Sequence, residues 1–235
     1  MPTPSSVPDT STLTHDARHG PLPALLLVLT IVTGIVDAVS YLKLGHVFVA
    51  NMTGNVVFLG FAAGGASDFS VFAVLAAIVS FLAGALAGGR LGAGTGQHRG
   101  RFVALASSVQ LTLVGIALAV SLMDANLNTA ISTYALIVPL GAAMGLQNAA
   151  ARRLGVPDLT TTVLTLTLTG LAADSKIAGG NNPNTGRRLL AAAAMLVGAA
   201  VGALLIFHVG IGAALALAFV LLLLNAGVGY RLSSS

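Results

Sequence analysis

Eight apolar stretches run along the chain, at roughly 22–42, 47–64, 70–92, 102–123, 129–151, 159–173, 188–207 and 209–229. Crossing the hydrocarbon core of a bilayer as helix takes about 20 apolar residues. The second and sixth stretches are the shortest, and both are interrupted by polar residues. The second carries Asn51-Met52-Thr53-Gly54-Asn55, and the sixth is threonine-rich from Thr160 to Thr169. Within the sixth, Val163 to Thr169 alternates with period two, which reads as strand. Such a strand could pair with Val47-Phe48-Val49, since a lone strand in lipid leaves its backbone unsatisfied. Threonines also sit in membrane helices by bonding to the preceding turn, so both readings stand at this point.

Composition fixes the solvent. Of the 235 residues 56% are hydrophobic and only 8% charged, against about 25% charged in soluble domains. With a mean hydropathy of +0.93 the chain is expected to be an all-α integral membrane protein with the lipid bilayer as its surroundings. A flexible polar tail of residues 1–20 precedes a single transmembrane domain over 21–230; that tail lacks the basic-then-apolar build of a signal peptide. The net charge of +4 does not point to nucleic acid, because the basic residues lie in short loops between apolar runs. Cysteine is absent, which removes disulfides and thiolate chemistry.

The placement of those charges predicts a topology. Arg90, Arg99 and Arg101 mark one cytoplasmic loop and Arg152-Arg153 a second. Lys176, Arg187, Arg188 and Arg231 join them only if the sixth stretch enters and leaves on the same side. The same treatment of the second stretch keeps both termini cytoplasmic, at the cost of leaving Lys43 outside. The expected architecture is six full transmembrane helices plus two short broken or re-entrant segments.

The halves, about 21–123 and 129–229, echo each other. Thr30, Gly34, Asp37 and Tyr41 correspond at constant offset to Gly141, Gly145, Asn148 and Arg152, each set on one helical face. Met52 to Asn55 pairs with Leu164 to Thr167, and Gly84-xxx-Gly88 matches Gly198-xxx-Gly202. Three full spans per half make this a 3+3 inverted repeat, the arrangement in which transporters build a site at the repeat interface. The glycine pairs allow close helix packing, inside the bundle or in a homo-oligomer.

Asp37 is the acidic residue set well inside an apolar stretch; such carboxylates face the bundle interior and mark a solute, proton or cation site, or a structural hydrogen bond to Tyr41 or Asn51. Asn51 or Thr53 could cap a short helix running from Asn55 to Gly64, with Gly54 permitting a turn. The expected substrate-binding set is Asp37, Asn51, Thr53, Gly54, Asn55, Asn148, Thr165 and Thr167. The five histidines do not cluster, so no metal or other cofactor is expected. With no nucleophile–base grouping and no glutamate, an enzyme is not expected either. The function read from these residues is a small secondary transporter or channel for an unidentified small solute. The alternative is a non-transporting scaffold or sensor in which the same polar residues hold helices together.

At Gly34 to Ala38, Tyr41 to Phe48, Ala50 to Asn55 and Gly145 to Arg153 the chain resembles the YoaK-like family of bacterial inner-membrane proteins, a domain of unknown function. The resemblance covers about Gly20 to Gly229, and the Asn-Met-Thr-Gly-Asn run is its most specific part. It implies a multi-pass protein of the bacterial cytoplasmic membrane and supplies no substrate. Family members often read Thr-Gly where this chain has Thr165-Leu166, so the second break here lacks its glycine.

Overall fold

The computed structural model describes residues 21–95, 99–124, 127, 129–155, 164–181 and 184–234; the tail expected over 1–20 lies outside them. Every apolar stretch becomes helix: α1 (Leu22–Lys43), α2 (Met52–Ala63), α3 (Val71–Gly94), α4 (Arg99–Met123), α5 (Ala130–Leu154), α6 (Leu164–Ala173), α7 (Thr185–His208) and α8 (Ile211–Ser234). Six of these are long and apolar enough to cross a membrane. At 1.5 Å per residue, the 12 residues of α2 reach about 18 Å and the described 10 of α6 about 15 Å, well short of a ~30 Å core.

The strand reading fails. Leu164–Ala173 is α-helix, and no strand occurs among the described residues. A helix satisfies its own backbone inside lipid, and that requirement outweighs a period-two alternation of threonine and leucine. Val47 to Val49 is irregular, and Phe48 finds its backbone partner in a side chain described below.

Glycine sets the main helix crossings and their directions. A Cβ on Gly34 of α1 would lie 2.7 Å from the Ala199 nitrogen of α7, and one on Gly202 would lie 3.0 Å from Ile35 Cα. Gly88 of α3 sits as closely on Leu146 and Ala149 of α5, and Gly145 of α5 on Phe81 and Ala85 of α3. Residue numbers rise together at both crossings, so α1 runs parallel to α7 and α3 parallel to α5. Along α4 and α8 they run oppositely: Gly115 meets Phe219, and Gly229 meets Val103 and Ala104. Short connections fold α5 back on α4 and α8 back on α7. Following these pairings, α1, α4 and α7 point one way and α3, α5 and α8 the other. The chain therefore begins α1 and ends α8 at the same face. It also returns through α2, and again through α6, to the face it left.

Local signals end the helices as chemistry dictates. Ser70 and Thr129 accept first-turn N–H groups at the starts of α3 and α5, and Gly155 closes α5 in the left-handed conformation. Buried carboxamides tie the helices together. Gln147 of α5 accepts from Gln110 of α4 and donates to Thr33 Oγ1 of α1 at 2.7 Å. Asn225 of α8 donates to the Leu25 carbonyl of α1 at 2.8 Å and accepts from Ser107 of α4.

Candidate functional site

After α1 ends at Lys43, residues 44–51 turn back along it, so that Ala50 lies level with Asp37. Asp37 Oδ1 accepts the Ala50 N–H at 3.0 Å. Asn55, on the first turn of α2, grips the same segment from the other side: its Oδ1 accepts the Phe48 N–H at 2.9 Å while its Nδ2 donates to the Phe48 carbonyl. One carboxamide thus replaces the ladder partner that a strand would have supplied. Outside this clamp the rings of Tyr41, Phe48 and Phe58 stack, with Tyr41–Phe48 centroids 5.0 Å apart and Phe48–Phe58 5.8 Å apart. Gly54 is required here, since a Cβ would lie 2.8 Å from the Phe48 ring.

Two expectations change. Asp37 bonds to the backbone of the returning segment, and not to Tyr41 or Asn51 as its structural reading supposed. The short helix starts at Met52, with Asn51 at the cap position but making no side-chain cap bond.

Beside this clamp lies a cavity of about 640 Å³. Asp37, Asn51, Thr53 and Gly54 form one wall, and Thr165 reaches it from α6. Phe81, near the middle of α3, and Met195, near the middle of α7, place the cavity at mid-depth between the two halves. Five of the eight residues singled out in the sequence are therefore gathered round one space. The other three are elsewhere. Asn55 is buried beneath the cavity wall as the clamp, Thr167 is buried on the far side of α6, and Asn148 donates to the Met144 carbonyl of its own helix at 2.9 Å. The neighbouring Gln147 is the core residue on α5. Sequence reasoning passed over the apolar lining as well, Phe81, Met195, Leu164 and Leu168, because such residues are indistinguishable from lipid-facing ones until the helices are assembled.

On the second half the re-entrant segment is tied differently. Arg188 of α7 donates to Asp174, just past α6, at 2.7 Å, and its guanidinium lies against Gly170. The approach to α6, residues 156–163, lies outside the described residues, and with it the Thr160 to Thr162 part of the expected polar stretch.

The family model described as "Protein of unknown function (DUF1275)" matches residues 25–228. The UPF0700 transmembrane protein YoaK of Bacillus subtilis (strain 168) is 36% identical over 150 residues, 64% of this chain. The match spans 65% of that relative, less than two thirds of its length. No solved structure matches.

Proposed function

The chain belongs to the DUF1275 family of multi-pass membrane proteins, and for this member we propose a role as a small transporter or channel that passes a small solute through the central cavity. One observation carries the reading: a cavity at mid-depth with polar side chains on an otherwise apolar lining, lined from both halves and bordered by two segments that do not cross. Irregular backbone at membrane depth is tolerated where it is buried in protein or lines a wet space, and such broken segments are how transporters form midplane sites.

The helix pairings support an inverted repeat. Exchanging the halves turns the α1–α7 crossing into α5–α3, the α4–α5 contact into α8–α1, and leaves α4–α8 paired with itself. The carboxamides follow the same exchange, α4 donating to α5 through Gln110 and α8 to α1 through Asn225. Charge supports the orientation. Arg90, Arg101, Arg152, Arg153, Lys176, Arg187, Arg188 and Arg231 fall at the face where α1 begins and α8 ends, while Lys43 lies at the other. That face is read as cytoplasmic, in a bacterial inner membrane, with both termini inside. The protein is read as a transport protein and not an enzyme.

The scaffold reading rests on a specific fact too, since Asp37 and Asn55 both hold backbone. Reconstitution separates the two readings. In proteoliposomes, uptake or counterflow of a solute from a broad panel is expected of the wild type, and Asp37→Asn is expected to lose flux while remaining folded and monodisperse. Wild-type vesicles silent across the panel, or an Asp37→Asn protein that fails to fold, favour the scaffold.

A further inference from the structure

The cavity lining has a chemical bias. Among the described residues that line it, Asp37 is the one ionisable side chain, and none is Lys, Arg or His. A carboxylate offers about four acceptor sites, and the Ala50 N–H occupies one. An anion entering here would meet a buried carboxylate with no compensating base among the described lining residues. Asn51 and Thr53 add neutral hydrogen-bonding groups on the same wall, and Thr165 adds one from α6. The rest is apolar, with Phe81, Met195, Leu164 and Leu168 forming the body of the space. A volume of about 640 Å³ lies within the ~300–1,000 Å³ of sites for small organic molecules. It does not suit a bare metal ion, which needs ligand oxygens at about 2–2.6 Å all round.

We propose, building on the transport reading, that the cavity takes a small organic amine or ammonium compound. Its charged N–H group would bond to Asp37, and its apolar body would lie against Phe81, Met195, Leu164 and Leu168. The soft thioether of Met195 and the ring of Phe81 suit a flat or cationic guest.

Three probes with one ring and different charge test this: benzylamine, benzyl alcohol and benzoate, each titrated at neutral pH against the thermal stability of the full-length protein in detergent. Benzylamine is expected to stabilise saturably, with an apparent Kd about tenfold below that of benzyl alcohol, the ratio by which a charge-assisted hydrogen bond exceeds a neutral one. Benzoate is expected to give no saturable effect. Equal responses, a preference for benzoate, or no saturable response to benzylamine overturns the proposal. Asp37→Asn should bring benzylamine down to the level of the alcohol. Because that variant also weakens the clamp, Thr165→Lys provides the second arm. It puts a cation at an exposed position across the cavity and should turn the preference toward benzoate; an unchanged preference refutes the site. Tracer flux in vesicles separates this from the broader reading. Amine binding without amine flux defeats transport and leaves the site standing, whereas flux of neutral or anionic solutes without amine binding defeats the site alone.

Discussion

A single methyl group should separate α3 from α5. In the interior of a helix Gly→Ala gains about 1 kcal/mol in intrinsic propensity, so the substitution stabilises wherever there is room. At Gly84 there is none. The added Cβ would lie 2.6 Å from the Ala142 carbonyl carbon and 2.7 Å from its Cα, and would press on the carbonyl oxygen besides. Comfortable separation of carbon atoms is about 3.5–4.0 Å, so the helices must part by roughly 1 Å. These are backbone atoms, which no rotamer change can move aside. Parting them also loosens the neighbouring contacts of Gly88 on Leu146 and Gly145 on Phe81. Overpacking of this kind costs about 1–3 kcal/mol. Gly89, on the same helix, has nothing within 4 Å of its would-be Cβ and supplies a matched control. The expected gap in unfolding free energy between Gly84→Ala and Gly89→Ala is therefore about 2–4 kcal/mol. Thermal or denaturant unfolding of the purified variants in one detergent measures it. If the two variants unfold together, the glycine crossing does not hold α3 on α5, and the helix directions inferred from it lose their basis.

Gln147→Leu should cost about 1–3 kcal/mol, since it strands the Gln110 amide in the core; adding Gln110→Leu should recover part of that loss, and strict additivity would show that the two carboxamides are not coupled. Asn55→Ala should destabilise by a similar amount and speed amide exchange of Phe48, whose backbone loses both partners. Asn51→Ala, at an exposed cap position without a cap bond, should change stability by less than about 0.5 kcal/mol while altering solute flux; a large loss of stability there would undo its placement in the cavity wall. Ile177 is fully exposed between α6 and α7, and the chain has no cysteine of its own, so Ile177→Cys should react with an impermeant maleimide only from the cytoplasmic side. Labelling only from outside would refute the same-side return of α6.

The long helices were legible because lipid leaves the backbone few options: a stretch apolar enough and long enough to span is a helix. The re-entrant character of α2 and α6 followed from charge alone, through Lys176, Arg187 and Arg188. What the sequence could not resolve was facing. Asn148 and Gln147 are adjacent polar residues on a helix rich in alanine and glycine, about 100° apart round the axis. With so little contrast between its faces, nothing in α5 said which of the two turned inward. Asn225 was invisible as a single polar residue in a long apolar run, and Gln110 because Ser107, Ser108 and Thr112 beside it spread polarity round the helix. The strand over Val163 to Thr169 was a misreading of period, because Thr-Leu alternation records side-chain polarity while lipid responds to the backbone.

Polar groups in this bundle divide into two kinds, and the division bears on function. Gln147, Asn225 and Asn55 meet donors and acceptors within the chain and are all but fully buried, as groups that only hold helices together should be. Asn51, Thr53 and Thr165 are exposed and line an open cavity at a depth where lipid would leave them unsatisfied. A purely structural role explains the first kind and leaves the second without a reason, since apolar side chains at those three positions would be cheaper in a membrane. Asp37 belongs to both kinds. Its carboxylate fixes the returning segment through Ala50 and at the same time borders the space that segment encloses. Were the cavity to hold a solute, a group that borders it and also holds its wall would couple occupancy to backbone position. In a transporter, that is the link through which a bound solute would bias which side the cavity opens to.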